Sequence, residues 1–394
     1  MTFPRSAALA GLALVLAACS GPILANPPAQ QPITVEPTAP PLAVADPLPV
    51  ELPRDDGPHD RLMEWWYYTG HLRDDAGGRW GFEYVIFRAE RGAFPVSWAS
   101  HFALTDESGD AFHYAQRQEI GPQVDRSPVD AAGDPTGFDL TLVGADPLRP
   151  ETLTQPAWTM TGAAGTDRLA ATLTPSEATA AGFDGAVSFA LDVEATKPAA
   201  LHDTDGWIDF GPAGGSYYYS RTAMDATGTL TLGNRVLAVE GSAWFDHQWG
   251  DFIAVGGGGW DWFAVNLEDG TDLTLSLVRD ADGSYPLVYG TLVEADGATR
   301  HLPSDTFAID VTDDWTSPHS GARYPAAWHI TLPGEGLEIV LEPTVADQEL
   351  DTRATTGVVY WEGSQVVRAS RDGVPLGGEA YVELTGYATV LAGG

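Results

Sequence analysis

The residues best suited to chemistry lie in the stretch GSAWFDHQWGD at 241–251. Successive side chains of a β-strand point to opposite faces, so Asp246 lies on one face of this stretch while His247 and Trp249 share the other. Aromatic neighbours exclude water and raise the pKa of a carboxyl group, which would keep Asp246 protonated as a general acid. The alternative is structural: Asp246 caps a turn before Gly250, and His247 is a hydrogen-bonded core histidine.

A second acid with aromatic neighbours is Asp261, which stands between Trp260 and Trp262. Because adjacent side chains of a strand point to opposite faces, Asp261 shares its face with Phe263 and with neither tryptophan. A salt bridge or a backbone hydrogen bond explains such a carboxylate as well as catalysis does. The candidate catalytic residues are Asp246, His247, Trp249 and Asp261.

Several other chemistries are excluded by composition and motif. The nine histidines lack the spacing of a helical zinc site and Cys19 is the single cysteine, so no metal site is predicted. No G-x-S-x-G elbow, phosphate-binding G-x-x-x-x-G-K loop or dinucleotide fingerprint occurs, so no cofactor is predicted either. The 55 acidic and 20 basic residues give a net charge of −35, which would repel nucleic acid.

Short runs of alternating apolar and polar residues, separated by turn signals, fill most of the chain, as in WGFEYVIFR and TDLTLSLVRDADG. This pattern predicts an all-β, antiparallel protein with few helices. The stretch EWWYYTGHL at 64–72 departs from it, because Trp66 and Tyr68 share one face while Trp65 and Tyr67 share the other. Both faces are aromatic, so we expect both to be shielded from water.

A weak internal repeat indicates that this architecture is duplicated. Its matching positions pair Trp65 with Trp260, Leu72 with Leu267, and Asp74 with Asp269. Convergence of aromatic strands by chance is the alternative. If the repeat is real, the chain forms two similar barrels that meet at the glycine-rich segment 250–259, and the two domains span 56–250 and 251–394.

The N-terminus has the features of an export signal. A basic start and an apolar run at 7–18 precede LAAC, which places Cys19 at a small-residue cleavage site and makes 1–19 the signal. This segment resembles a bacterial lipoprotein signal, which implies cleavage before Cys19 and lipidation of its thiol; an ordinary signal peptide with an incidental cysteine is the alternative. Residues 20–55, rich in proline, should form an extended tether. We expect an exported protein anchored to a membrane on its periplasmic or cell-surface side.

The abundance of aromatic residues also bears on ligand binding. The chain contains 13 Trp, 13 Tyr and 14 Phe but only four Met. Some of these rings fill the cores, while a cavity lined by the others would suit a long apolar ligand that a few polar groups orient. A hydrophobic small molecule is therefore the expected partner.

Seven motifs together resemble the carotenoid 1,2-hydratase and AttH-like family: EWWYYTGHL, SHFALTD, YYYSRT, AWFDHQWGD, GWDWF, VVYWEG and AYVELTGY. The resemblance covers nearly the whole chain beyond the tether. It implies two lipocalin-like (calycin) antiparallel β-barrels packed together, the second beginning soon after DHQWG. One face of EWWYYTGHL would then line or fill the first barrel, and the other would pack against the second.

The resemblance also bears on the site. In the hydratases the essential residues include a histidine and a tryptophan spaced as His247 and Trp249 are here, together with a downstream tyrosine and aspartate, for which Asp261 is the nearest acid. Residues of the shared motifs are expected to contact the ligand: Trp65, Trp66, Tyr67, His101, Tyr218, Trp260 and Trp262.

Three functions follow as hypotheses. The first is a lipid-anchored, extracytoplasmic double lipocalin that binds a hydrophobic, isoprenoid-like or lipid-like molecule. The second is a hydratase that adds water to a C=C bond of an acyclic carotenoid or isoprenoid in the same cavity. The third is an accessory protein of a transporter at the membrane surface.

Overall fold

The computed structural model of the protein describes residues 48–146, 148–252 and 257–388. The described chain is almost entirely β, as predicted, and its strands form two curled antiparallel sheets. We call these sheets the first and the second barrel. No helix among the described residues has both the length and the apolar character that a membrane crossing requires.

The first barrel contains twelve strands. Their bounds are β1 (Met63–Asp74), β2 (Arg79–Ala89), β3 (Ser97–Asp106), β4 (Ala111–Ile120), β5 (Phe138–Leu142), β6 (Trp158–Ala163), β7 (Thr166–Thr172), β8 (Val187–Ala195), β9 (Ala200–Leu201), β10 (Trp207–Asp209), β11 (Gly214–Leu232) and β12 (Arg235–Phe252). The helical segments are α1 (Pro175–Ala180) and four 3-10 turns, at Arg54–Asp56, Pro122–Val124, Pro150–Thr154 and Gly211–Ala213.

The second barrel contains eleven strands. Their bounds are β13 (Gly257–Leu267), β14 (Asp272–Asp280), β15 (Leu287–Val293), β16 (Thr299–Pro303), β17 (Ala308–Thr316), β18 (Arg323–Leu332), β19 (Leu337–Pro343), β20 (Glu349–Asp351), β21 (Val359–Arg371), β22 (Val374–Leu376) and β23 (Gly378–Thr385). One 3-10 turn, Pro333–Glu335, joins β18 to β19.

The two sheets share an arrangement. The first runs β4-β3-β2-β1-β12-β11-β8-β7-β6-β5, and the second runs β16-β15-β14-β13-β23-β21-β19-β18-β17. In each, the first four strands pair in succession and the first strand also pairs with the last. The repeat seen in the sequence places Trp65 and Trp260 in the corresponding strands β1 and β13.

The longest pairing in the first barrel is a ribbon formed by β11 and β12. The two strands are joined by a two-residue turn whose first central residue, Gly233, has a φ of 62°. A glycine with positive φ at this position is typical of a type II′ hairpin. The ribbon carries the YYYSRT and AWFDHQWGD motifs side by side, with Tyr218 opposite Gln248 and Ser220 opposite Asp246.

Neither face of strand β1 is exposed to solvent, because the strand lies between two hydrophobic regions. Trp66 and Tyr68 are fully buried in the core of the first barrel. On the other face, Tyr67 and Trp65 join a cluster that includes Trp262 of the second barrel. The alternation read from EWWYYTGHL therefore gave the correct assignment of both faces.

Close contacts also join the barrels at polar positions. The Lys197 ammonium lies 2.7 Å from a carboxylate oxygen of Asp272, and the two side chains are 9% and 4% exposed. A Cβ atom on Gly81 would lie 2.9 Å from both the Ser364 Cβ and the Tyr381 hydroxyl of the second barrel. A side chain at position 81 would therefore force the barrels apart.

The structure describes only the last residues of the segment predicted as a tether. Its last residues, 48–55, lie against the first barrel, where Asp55 and the following Asp56 are buried. Asp56 accepts a hydrogen bond from Arg221 at 2.7 Å and another from the Ala164 amide at 2.7 Å. These polar contacts fix the residue that directly follows the predicted tether. Cys19 and the signal lie outside the described residues.

Candidate functional site

A cavity of about 120 Å³ lies between the two barrels. Strands β1, β2, β11 and β12 supply one wall, and β13, β14, β15 and β23 supply the other. Pockets that enclose a whole drug-sized ligand measure roughly 300–1,000 Å³. This cavity therefore suits one end of a longer molecule.

Aromatic rings form most of the cavity wall. The Tyr67 and Trp262 rings meet edge to face with their centroids 5.4 Å apart, and this contact spans the two barrels. The Trp262 indole N–H donates to the Tyr218 hydroxyl at 3.0 Å, which fixes both rings. The aromatic lining residues are Trp65, Tyr67, Phe87, Phe210, Tyr218, Phe252, Trp260, Trp262 and Tyr289.

Asp246 is the acid of the DHQWG motif that faces this cavity. The Tyr218 hydroxyl donates to Oδ2 at 2.5 Å, the Trp244 indole donates to Oδ1 at 2.6 Å, and the Ser220 hydroxyl also donates to Oδ1. Burial raises the pKa of Asp246 to about 6, although these three donors oppose the rise. Asp246 is therefore mainly a carboxylate at neutral pH.

Glu83 is a second acid in the cavity wall, and its protonation state at neutral pH differs from that of Asp246. Its side chain is buried, the Tyr360 hydroxyl lies 2.8 Å from Oε1, and Oε2 has no hydrogen-bond partner among the described residues. Burial raises the pKa of Glu83 to about 8. Glu83 is therefore mainly a neutral carboxylic acid at pH 7.

Two further carboxyl groups lie nearby on the second barrel. Glu383 lines the cavity, accepts a hydrogen bond from the Trp260 indole at 2.8 Å, and has its pKa raised to about 7 by burial. Glu362 accepts from the Tyr67 hydroxyl at 2.7 Å. Burial, and then the proximity of Glu83 and Glu383, raise the pKa of Glu362 well above its usual range. The junction of the barrels thus favours neutral acids.

Together these groups make an acid and base pair in an apolar chamber. Glu83 and Asp246 line the same cavity. Their different surroundings separate their pKa values, so Glu83 is a neutral acid while Asp246 is a carboxylate. Such a separation is how two carboxyl groups divide proton donation and acceptance in an active site. The arrangement can protonate a bound group and remove a proton from another.

The structure does not bring the four predicted catalytic residues together. Asp246 lines the cavity, but His247 and Trp249 lie on the opposite face of β12, as the alternation predicts. His247 is fully buried and Trp249 belongs to the core of the first barrel. The histidine and tryptophan of DHQWG are therefore separated from its aspartate by the strand itself.

His247 belongs instead to a buried cluster with Glu64 and His59. Oε1 of Glu64 lies 3.0 Å from Nε2 of His247 and 2.7 Å from Nδ1 of His59, and the His59 ring stacks on Trp249 with centroids 4.1 Å apart. Burial opposes the charge on His59, but Glu64 raises the pKa of this imidazole. One donor atom from each of the three residues falls within 4.8 Å of the others, so the set has the composition of a metal site, although the sequence predicted none.

Asp261 lies in the second barrel and does not line the cavity. Arg279 donates to its Oδ1 at 2.9 Å, and the Tyr387 hydroxyl donates to both carboxylate oxygens. The Arg279 guanidinium also stacks on the Tyr387 ring, 3.9 Å from its centroid. The salt bridge that the sequence left open as an alternative is what the structure contains.

The cavity accounts for most of the predicted ligand contacts. Five of them line it: Trp65, Tyr67, Tyr218, Trp260 and Trp262. Trp66 does not, because alternation turns it into the core of the first barrel, where its indole donates to the Asp56 carbonyl at 3.0 Å. His101 is fully buried behind the cavity, with its ring nitrogens on Tyr360 and Thr355.

Sequence reasoning missed Glu83, Glu362 and Glu383. Each is the one carboxylate of an apolar, aromatic motif: WGFEYVIFR, VVYWEG and AYVELTGY respectively. An isolated acid without a neighbouring base in such a run is a signal of a buried carboxyl group. Their convergence from β2, β21 and β23 could not be read from one sequence.

Comparison with known proteins agrees with this architecture. The sequence model of the AttH-like family matches residues 43–387. An AttH protein from Nitrosomonas europaea is 29% identical with a TM-score of 0.69, covering 88% of this chain and 99% of its own. Kievitone hydratase from Nectria haematococca is 16% identical with a TM-score of 0.61, covering 87% and 94%.

CghA in complex with Sch210972 is 14% identical with a TM-score of 0.51, covering 83% of this chain and 88% of its own. At such identities the hydratase and CghA show the fold alone, and no curated protein matched. The predicted pair of lipocalin-like barrels is confirmed by the sheets and by these neighbours. The chain belongs to the AttH-like family.

Proposed function

We propose that the cavity between the barrels binds the unsaturated end of a hydrophobic, isoprenoid-like molecule and adds water to its C=C bond. The observation that carries this proposal is the buried Glu83 in a cavity walled by aromatic rings, with its Oε2 left without a hydrogen-bond partner by the described residues. Burial raises the pKa of this carboxyl to about 8. Hydration of an isolated alkene begins with protonation, which needs an acid that is still protonated at working pH. The fold is one that also carries a protein named as a hydratase.

The cavity supplies each group that the reaction requires. Glu83 gives its proton to the less substituted carbon of the double bond. The π electrons of that bond form the new C–H bond, which leaves a tertiary carbocation on the other carbon. The surrounding rings stabilise this cation by about 0.5–2 kcal/mol each. Water adds to the cation through its oxygen, and the Asp246 carboxylate accepts the proton that the new oxygen loses and releases it to solvent after the product has left. The product is a tertiary alcohol, one water heavier than the substrate.

The size of the cavity favours a terminal group. A volume of about 120 Å³ admits the end of a chain and leaves the rest of a long molecule outside. Among the described residues, the polar lining groups that can orient it are the acids, the tyrosine hydroxyls, Gln248 and Ser276. An apolar substrate with its double bond at one end fits this chamber better than a compact polar one.

The test is incubation with an acyclic carotenoid and with a prenylated phenol, followed by mass spectrometry for the gain of one water. We expect Glu83→Gln and Asp246→Asn to lose at least 100-fold in turnover. Asp261→Asn is the matched control, because it removes a buried carboxylate outside the cavity. Loss of turnover in the control alone would place the chemistry elsewhere. Binding of both probes without any water gained by the wild type would leave a ligand-binding role and reject the hydratase.

The cellular setting is part of the proposal. We infer that lipidation of Cys19 holds the protein at the extracytoplasmic side of a membrane. Apolar substrates concentrate in membranes, so a cavity tethered beside the lipid surface would meet them without their crossing water.

A further inference from the structure

If Glu83 donates a proton in each turnover, it must be protonated again before the next. The side chain is only 1% exposed, and substrate would fill the cavity beside it. The cavity therefore cannot supply the returning proton while a ligand or product is bound. A separate route from solvent would remove this restriction.

Such a route is visible behind Glu83. The Tyr360 hydroxyl lies 2.8 Å from Oε1 of Glu83 and 2.7 Å from Nδ1 of His101. The other ring nitrogen of His101, Nε2, lies 3.0 Å from the Thr355 hydroxyl, which lies 2.7 Å from Oε1 of Gln116. Four hydrogen bonds in a row thus lead away from the cavity.

The outer end of this row reaches a second opening. Gln116 lines a groove of about 640 Å³ that is separate from the cavity and is bordered by Asp347 and Asp351. Gln116 is half-buried, whereas Tyr360, His101 and Thr355 are each less than 5% exposed. Solvent in the groove is therefore one side chain away from the Thr355 hydroxyl.

We propose that Tyr360, His101 and Thr355 form a proton relay that reprotonates Glu83 from the solvent-filled groove; the proposal rests on the donor role given to Glu83 under the proposed function. These three are positioning residues, since none of them lines the cavity. The relay also explains why a histidine of the SHFALTD motif is buried without touching the ligand site.

The relay works because each member both donates and accepts. When Glu83 is ionised, Tyr360 donates to Oε1 of Glu83, the Nδ1–H group of His101 donates to Tyr360, and Thr355 donates to Nε2 of His101. The Gln116 amide oxygen only accepts, so the Gln116 side chain must swing aside to let a water of the groove reach the Thr355 hydroxyl. One proton taken from that water shifts each of these protons by one position. Glu83 ends protonated, every other member ends neutral, and the direction of each hydrogen bond is reversed. Burial lowers the pKa of His101 to about 3, which keeps the imidazole in the neutral form that this exchange needs.

A second buried histidine provides a contrast. His202 stands behind Asp246, with Nε2 at 2.7 Å from the Ser220 hydroxyl and Nδ1 at 2.8 Å from the Thr291 hydroxyl. Thr291 is 1% exposed and lines neither the cavity nor the groove. The described hydrogen bonds therefore connect Glu83, and not Asp246, to an outer opening.

The test measures proton exchange at Glu83 while squalane, a saturated isoprenoid with no double bond to hydrate, fills the cavity and blocks exchange through it. Rapid mixing of the protein into D₂O, followed by infrared spectroscopy, records the change of the protonated carboxyl band from COOH to COOD. Glu83→Gln identifies the band. We expect Tyr360→Phe and His101→Gln to slow the exchange at least tenfold. Tyr84→Phe, the matched control, removes a buried tyrosine hydroxyl that bonds backbone carbonyls on the other face of β2, and should leave the rate unchanged.

Thr355→Val keeps the size of the side chain and replaces only the hydroxyl. This variant therefore tests the relay if Tyr360→Phe and His101→Gln prevent folding. An exchange rate in Thr355→Val equal to that of the wild type would overturn the relay. So would the absence of any protonated band that disappears in Glu83→Gln near neutral pH. Slow exchange in the relay variants of a protein that hydrates neither probe would support the relay while rejecting the proposed reaction.

Discussion

Replacing Glu83 with glutamine removes one proton-binding group while closely preserving the shape of the neutral side chain. In the folded protein, burial raises the pKa of this carboxyl from its ordinary 4.5 to about 8. Between these two values the unfolded chain has lost the proton and the folded chain still holds it. The folded state binds more protons there, so the free energy of unfolding of the wild type falls as pH rises.

The size of the effect follows from the interval between the two pKa values, which is about 3.5 pH units. Each unit corresponds to about 1.4 kcal/mol, so Glu83 alone costs the folded wild type about 5 kcal/mol once the pH exceeds 8. About 2 kcal/mol of this loss falls between about pH 6 and pH 8, because Glu83 is half ionised at the upper end of that interval. The variant lacks this loss, so its stability relative to the wild type should rise by that amount across the same interval.

Urea unfolding of both proteins at several pH values, followed by tryptophan fluorescence, measures the difference. Groups whose shifts do not depend on Glu83, such as His101 and Asp167, contribute equally to both proteins and cancel to first order. Glu240→Gln, at an exposed position of β12, is the control and should follow the wild type. Parallel curves for the wild type and Glu83→Gln would refute the view that Glu83 is neutral in the folded protein.

Three further predictions can be checked with the same protein. Arg221→Met should lower the free energy of unfolding by about 3–5 kcal/mol in a urea titration, because Asp56 would be left buried without its cation; adding Asp56→Asn should restore part of the loss. Titration with an acyclic polyene should quench tryptophan emission with a Kd on the order of 1 µM, which corresponds to a binding free energy of about −8 kcal/mol. Trp262→Leu should weaken this binding at least fivefold. Absence of quenching in a folded wild type would argue against an apolar ligand. Metabolic labelling with a fatty-acid analogue should mark the wild type but not Cys19→Ser, and equal release of both proteins into the medium would contradict an anchor.

The fold was predictable because its signals are local. Alternation within EWWYYTGHL identified the two dry faces of β1, and the same rule put Asp246 and His247 on opposite sides of β12 before any coordinates were known. The site was less predictable because it depends on register between strands that are far apart in sequence. Glu83 and Glu383 line one cavity although 300 positions separate them, and nothing within either strand specifies that pairing.

The alternation in β1, β2 and β12 also matters for how this protein could change. Residues that face the cavity, such as Tyr67, Glu83 and Asp246, occupy every second position, and the positions between them belong to the core of the first barrel. Mutations can therefore accumulate on one set while the other set continues to hold the barrel together. A library restricted to the cavity-facing positions would vary the shape and acidity of the chamber on an unaltered scaffold, which gives a lineage with this fold a simple path to new substrates.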